Sequence, residues 1–186
     1  EDDVYRELWL DEEPPKPLKS KDKSGSILYL GSISKTLAAG LRIGWLVGPE
    51  PVIERLGDIK MQTDYGSSSL SQWVLAEWIS SGLYDKYILE IKEKLRIRRQ
   101  VALNALDKYF SDIATWSKPK GRFYIWLTLN KRISMNKLFE KSCKEGLLIN
   151  IGNIYDFSNN LNIRISYSYA SLVDLEKGLK KTFRID

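Results

Sequence analysis

The longest periodic segment of the sequence, residues 84–110, constrains the architecture of everything around it. Its apolar side chains recur at the three- and four-residue intervals of one helix face, and charged residues separate them. These apolar positions are Tyr87, Ile88, Ile91, Leu95, Val101, Leu103, Leu106 and Phe110. The pattern predicts one long amphipathic helix that bridges the part of the chain before it and the part after it.

Before this helix, short apolar runs alternate with segments of helical spacing. Residues 27–32 and 41–48 are short apolar runs between turn signals, which is typical of buried strands in parallel sheets. Residues 49–62 begin with proline and then show helical spacing, and residues 67–82 begin with serines and end at a glycine. We therefore predict two strands and two helices in this part.

After the long helix, the same alternation continues on a smaller scale. Strands are predicted at 121–129, 147–152 and 162–168, and helices at 134–146 and 171–184. The aromatic residues of FYIW and SYSY are interpreted as core of this smaller unit. Strands that alternate with helices indicate the α/β class.

Composition excludes several kinds of site. The chain has no histidine, which excludes histidine-based catalytic triads and histidine metal sites within it. Its single cysteine, Cys143, cannot form a disulfide framework and favours a cytoplasmic location. The formal net charge of +5 is spread along the chain rather than concentrated in a basic arm, so this part does not indicate a DNA-binding surface. No apolar run is long enough to span a membrane, and no membrane partner is expected.

The stretch GSISKTLAAGLRIGW, residues 31–45, carries the candidate chemistry. Lys35 follows Ser32 and Ser34 and precedes Arg42. A lysine becomes a nucleophile when burial or neighbouring charge lowers its pKa, and serine and arginine are residue types that bind phosphate. Taken alone, however, a lysine in a turn of small residues is more often a solvated surface residue.

Three further motifs change this interpretation. They are EDDVY at the start of the chain, PKGRFYIW at 119–126 and IRISYS at 163–168. Together with SISK and GLRIG they resemble, in order and spacing, the pattern of class I/II aminotransferases, the pyridoxal-phosphate-dependent enzymes of fold type I. The resemblance covers essentially the whole chain. It implies the C-terminal half of the aspartate-aminotransferase-like fold, comprising the end of the large-domain sheet, the bridging helix and a small α/β domain.

The resemblance also implies a domain division and roles for the residues that bind the cofactor, pyridoxal 5′-phosphate. Residues 1–83 would be part of the large cofactor-binding domain, 84–110 the bridging helix and 111–186 the small domain. The catalytic residues would be Lys35, Asp2 and Tyr5. Lys35 would form a Schiff base with the cofactor aldehyde and later move a proton. Asp2 would pair with the pyridine nitrogen, and Tyr5 would donate a hydrogen bond to O3′.

The remaining roles concern anions. Ser32 and Arg42 would hold the cofactor phosphate, and Ser34 would assist them. Arg164, in IRISYS, would bind the α-carboxylate of the substrate through a bidentate contact. Each of these residues also has an ordinary structural interpretation when it is taken singly. The prediction rests on their joint occurrence in the order of the family.

Two departures from the family pattern bear on the site. Arg122 stands where the P-x-G-G element has its second glycine, and we expect it to narrow or recharge the substrate entrance. The family's glycine-containing phosphate loop, its ring-stacking aromatic residue and the asparagine that faces O3′ all precede the Asp-x-x-Tyr strand. We therefore expect the chain to correspond to about half of the fold and not to form a complete cofactor site or an active enzyme without the preceding half.

The wording of EDDVYRELWL, GSISKTLAAGLRIGWLVGPEPVIERL and TDYGSSSLSQ is most similar to GntR/MocR-type transcription regulators. In such a regulator the lysine chemistry would sense an amino acid or amine, and DNA would be bound only through an N-terminal winged-helix domain. The alternative is a free-standing class I/II aminotransferase that transfers an amino group between an amino acid and a 2-oxo acid. In either case the resemblance implies a homodimer for the full-length protein.

Overall fold

The computed structural model describes residues 1–155, 157–158 and 161–182. The chain divides into two compact units, Glu1–Lys92 and Glu93–Asp186. The long helix predicted at 84–110 is confirmed: helix α3 spans Leu83–Tyr109 and follows Gly82, whose positive φ of 72° ends the preceding segment. The two units are described separately below.

The first unit contains a strand pair whose direction differs from the prediction. Strands β1 (Tyr29–Ser32) and β2 (Gly44–Val47) pair antiparallel, with Tyr29 opposite Val47 and Ser32 opposite Gly44. The interpretation of these runs as parallel-type strands is therefore wrong for this pair. The physical reason is the short connection, because a parallel crossover needs a dozen or more residues and usually a helix. Here a short 3₁₀ turn at Ala39–Leu41 returns the chain directly.

Two helices follow the strand pair, as predicted. Helix α1 spans Glu50–Asp64 and has proline in its first turn, and helix α2 spans Ser69–Ser80. The Ser68 side chain caps α2 by accepting a hydrogen bond from the Ser71 N–H at 3.3 Å. No residue of α1 or α2 is buried. These helices therefore contribute little to the core of the unit.

The core of the first unit is formed by side chains from the first ten residues, from the turn after β1 and from the start of α3. Leu8, Leu10 and Ile33 are buried there, together with Ile88 of α3. Lys92 of α3 is also buried, at 5% exposure, and its Nζ lies 3.7 Å from the centroid of the Trp9 ring. This cation–π contact gives the buried ammonium a favourable partner within the unit.

The second unit is built on a four-stranded sheet in which every pair is antiparallel. Its strands are β3 (Ala114–Trp116), β4 (Tyr124–Leu129), β5 (Asn150–Ile151) and β6 (Asn162–Ser166). Their order is β3-β4-β6-β5. The strand predicted at 147–152 is thus only two residues long. Strand β3 was not predicted because three residues are too few to show a periodic pattern.

Helices α4 (Met135–Lys144) and α5 (Leu172–Thr182) complete the second unit. Residues 183–184 of the helix predicted at 171–184 lie outside the described residues. The buried apolar side chains come from α3, the sheet and both helices, with Leu106, Ile125, Leu127 and Tyr167 fully inaccessible. The interpretation of the aromatic residues of FYIW and SYSY as core holds for Tyr167, but it is wrong for Trp126 and Tyr169, which are exposed, and Tyr124 is only half-buried.

None of the helices in the described part of the chain combines the length and the apolar character that a membrane crossing requires.

Candidate functional site

Lys35 lies at the tip of a tight turn that follows strand β1. The backbone N–H groups of Thr36, Leu37 and Ala38 all donate to the Ile33 carbonyl, at 3.2, 2.8 and 3.3 Å. Ile33 and Thr36 are buried at 3% exposure, whereas Lys35 is exposed. The turn is therefore anchored in the core from both sides, and it presents the Lys35 amine outward.

The first residues of the chain lie beside β1. Asp2 forms a parallel bridge with Leu30, and the Leu30 N–H donates to the Glu1 carbonyl at 2.9 Å. The Asp2 carboxylate is exposed and accepts a hydrogen bond from the Val4 N–H at 3.3 Å. Downstream of this bridge, the Tyr5 ring centroid lies 5.9 Å from the Lys35 Nζ. The structure therefore brings the predicted amine and the predicted phenol together.

The two serines differ in how their hydroxyl groups are used. The Ser32 Oγ donates to the Ile43 carbonyl at 2.8 Å and accepts from the Ser34 N–H at 3.1 Å. The Ser34 hydroxyl has no hydrogen-bond partner among the described residues. Ser32 thus stabilises the turn between the two strands, and Ser34 has the hydroxyl that is available to a ligand.

Arg42 has a left-handed backbone, with φ 54° and ψ 40°. For a residue other than glycine this conformation costs about 1–2 kcal/mol, and such outliers cluster at functional sites. Its guanidinium is exposed and donates to the neighbouring Ala39 carbonyl at 3.2 Å. No carboxylate of the described residues pairs with it. Its charge is therefore available to an anion.

Arg164 belongs to the second unit, on the central strand β6. Its guanidinium carbon lies 4.1 Å from the Tyr124 ring centroid and 4.6 Å from the Tyr155 ring centroid. The Tyr155 ring also makes an edge contact with Trp126, at 5.8 Å between centroids. Arg164 Nε is buried, and no acceptor in the described part of the chain contacts it. Two aromatic rings thus orient a guanidinium that keeps an unused donor.

The predicted residues therefore fall into two groups. Six of them belong to the first unit, on or beside the strands and the turn around β1: Asp2, Tyr5, Ser32, Ser34, Lys35 and Arg42. Arg164 belongs to the second unit. Sequence reasoning missed the contacts of Tyr124 and Tyr155 with Arg164, and the position of Tyr155 in the chain carries no signal of its contact. The alternation along β4 and β6 could have placed Tyr124 on the same face as Arg164.

The chain is similar to known proteins over nearly all of its length. Residues 2–181 match the family model for aminotransferase class I and II. The HTH-type transcriptional regulator YdfD of Bacillus subtilis (strain 168) is 57% identical over 179 residues, which are 96% of this chain and 37% of YdfD. The HTH-type transcriptional regulator NorG of Staphylococcus aureus (strain USA300) is 39% identical over 98% of this chain and 41% of its own length.

Solved aminotransferase structures share the fold. The kynurenine aminotransferase of Pyrococcus horikoshii superposes with a TM-score of 0.92 at 32% identity, covering 99% of this chain and 47% of that one. The α-aminoadipate aminotransferase LysN of Thermus thermophilus gives 0.91 at 25% identity, covering 99% of this chain and 48% of its own. The chain thus spans less than half the length of these relatives. The predicted fold and the resemblance to both aminotransferases and transcription regulators are confirmed, and the chain belongs to the aminotransferase class I and II family.

Proposed function

We propose that this chain is the pyridoxal-phosphate-binding, aminotransferase-like part of a GntR/MocR-type transcriptional regulator that senses an amino acid or amine. The observation that carries the proposal is the exposed Lys35 amine 5.9 Å from the Tyr5 ring, on a turn anchored in the core. The names of curated relatives such as YdfD and NorG, which are HTH-type regulators, support the regulatory role.

The residues of the first unit fit the cofactor by the chemistry of their donor set. Pyridoxal phosphate supplies an aldehyde that reacts with amines and a ring that accepts electrons. Lys35 Nζ would be the amine that meets that aldehyde, and it would also be the group placed to carry a proton to or from the ligand. The Asp2 carboxylate would favour a protonated ring nitrogen by its charge, and the Tyr5 hydroxyl would be the donor for a phenolic oxygen.

The phosphate of the cofactor requires donors and positive charge. Arg42 offers a guanidinium without a carboxylate partner among the described residues. Ser34 offers an unused hydroxyl, whereas Ser32 contributes by holding the turn. A planar guanidinium binds phosphate through paired hydrogen bonds, which is the reason for assigning Arg42 the main role.

The ligand itself is proposed to be recognised by Arg164 through its carboxylate. The unused, buried Nε and the two flanking rings support this role, because a preoriented guanidinium loses little entropy when it binds. We further propose that the full-length protein is a cytoplasmic homodimer whose DNA contacts come from an N-terminal domain. Within this chain, residues 1–83 would belong to the large domain, residues 84–110 to the bridging helix and residues 111–186 to the small domain.

The cofactor proposal is tested on the full-length protein with pyridoxal phosphate. Borohydride reduction should attach the cofactor covalently to Lys35, as a mass increase on the peptide that contains it. Lys35→Ala should abolish both this adduct and the visible absorbance of the bound cofactor. Lys16→Ala, at an exposed lysine of the same unit, is the matched control and should leave both unchanged. Cofactor attachment to a different lysine would contradict the assignment.

A second experiment separates the regulator from the free-standing enzyme. A regulator should bind its promoter DNA with an affinity that changes when an amino acid or amine is added. A free-standing aminotransferase should instead transfer the amino group to a 2-oxo acid with many turnovers and show no specific DNA binding. Sustained transamination without DNA binding would therefore favour the alternative function, while leaving the Lys35 assignment intact.

A further inference from the structure

The second unit contains a cavity of about 490 Å³ that none of the proposed cofactor-binding or substrate-binding residues lines. It lies where the segment after α3, the end of β4 and the first turns of α4 meet. Its apolar lining consists of Ile113, Leu129, Ile133 and Leu138. Small-molecule sites occupy about 300–1,000 Å³ and have mostly apolar walls, so the cavity has the size and the lining of such a site.

The polar residues of the cavity carry a strong bias of charge. Lys131, Lys137 and Lys141 line it, against a single carboxylate, that of Asp112. Lys137 and Lys141 are four residues apart on α4, so they lie on one face of that helix. In the described part of the chain, no carboxylate pairs with Lys131 or Lys137. Lys131 and Lys137 therefore bring to the cavity two positive charges that form no ion pair with a carboxylate of the described residues.

The Asn130 amide and the Ser134 hydroxyl complete the polar lining. Asn130 Nδ2 donates to the Asp112 carbonyl at 3.3 Å, which ties the end of β4 to the segment after α3. Leu138 is buried at 7% exposure and belongs to the apolar lining. The cavity thus has an apolar wall on a core residue and a cationic rim on α4 and the loop before it.

We propose that this cavity binds a small amphipathic organic anion, with an apolar body against the isoleucine and leucine side chains and a carboxylate at the lysines. An apolar molecule alone would leave the lysine charge unused, and a fully hydrophilic anion would lose hydration of its own polar groups against the apolar wall without compensating hydrogen bonds. The site is separate from the proposed Lys35 chemistry, so either proposal can fail without the other.

The test uses octanoate as the probe and octanamide as its uncharged counterpart, with the purified protein. Isoleucine methyl NMR should show saturable shifts at Ile113 and Ile133 on addition of octanoate. Octanamide should cause the same shifts only at about tenfold higher concentration, because it lacks the charge that the lysines attract. An increasing KCl concentration should weaken the binding of octanoate, because salt screens the lysine charge, and should leave the binding of octanamide unchanged.

Lysine variants distinguish binding of octanoate in the cavity from non-specific electrostatic attraction of the anion to the protein surface. Lys137→Gln and Lys131→Gln should each lower the affinity for octanoate about two- to fivefold, and the double variant should lower it about tenfold. None of these variants should change the affinity for octanamide. Lys144→Gln, on the same helix but outside the cavity lining, is the matched control and should change nothing. Unchanged thermal midpoints would show that the variants are folded. Absent methyl shifts, equal affinity for the two probes, or an equal effect of Lys144→Gln would each overturn the proposal.

Discussion

Replacing Arg122 by glycine should stabilise the protein, although it removes the whole side chain. Arg122 has a φ of 68°, in the left-handed region that favours glycine. The turn cannot relax away from this conformation easily, because the buried Tyr167 hydroxyl donates to the Arg122 carbonyl at 2.7 Å. Arg99 also donates to the Pro119 carbonyl, at 2.6 Å, at the start of the same turn. The arginine is therefore held where glycine would have no steric cost.

The expected size follows from two opposing effects. Relief of the left-handed backbone is worth about 1–2 kcal/mol. Glycine also gives the unfolded chain more freedom, which costs about 0.4–1 kcal/mol. The net gain in the free energy of unfolding therefore lies between about 0 and 1.6 kcal/mol, and its midpoint of about 0.8 kcal/mol corresponds to an increase of about 2–3 °C in Tm for a chain of this size. Circular dichroism during heating measures this change.

Arg122→Ala is the control that separates the backbone from the side chain. Alanine removes the same side-chain contacts but keeps the steric cost of a positive φ, so its Tm should not rise. Equal stabilisation by alanine and glycine would show that the side chain, and not the backbone, is responsible. A lower Tm for the glycine variant would refute the reasoning altogether.

Two further predictions concern ligand binding and pH. Tyr155→Leu removes one of the two rings that flank Arg164, so the affinity of the full-length protein for the carboxylate ligand proposed above should fall about two- to fivefold. Tyr155→Phe should keep that affinity, and calorimetry measures both. The hydrogen bond from Lys19 Nζ at 2.9 Å, supported by the backbone N–H groups of Ile27 and Ser24, holds the pKa of the Asp22 carboxyl well below its usual range. A lowered folded-state pKa adds stability that is present above the ordinary aspartate value and is lost as pH falls below about 4. The Tm difference between the native protein and Asp22→Asn should therefore shrink on acidification in that range, and a difference that stayed constant would contradict this assignment.

The sequence predicts elements with strong local patterns and misses features that depend on pairing. The long helix was predictable because eight apolar positions repeat at helical spacing, and it emerges as α3 at Leu83–Tyr109. The direction of β1 and β2 was not predictable from composition, since an apolar run has the same appearance in both kinds of sheet. Their antiparallel pairing follows instead from the connection at 33–43, which is too short for a crossover.

The same distinction applies to the candidate site. Lys35 and Arg42 could be selected from sequence because their spacing matches the family pattern, and the structure gives their environments. The sequence could not predict the hydrogen bond from the Ser32 hydroxyl to the Ile43 carbonyl, because this bond depends on how the two strands align. The left-handed backbone at Arg122 had one sequence signal, namely a family glycine at that position. Arg42 had no such signal.

The position of Arg164 on β6 has a consequence for how slowly the backbone that carries it opens to solvent. β6 pairs with β4 on one side and β5 on the other, and Arg164 lies opposite Trp126 and Asn150 in the two ladders. Ile163 and Arg164 are paired on both sides, so exchange of their amide protons with solvent requires a ladder to open, and these two amides should be among the slowest to exchange in the second unit. A guanidinium carried by such a strand keeps its place while the loops around it vary. If Arg164 binds the ligand as proposed, its position would be fixed by the sheet and the surrounding loops would be free to differ in sequence.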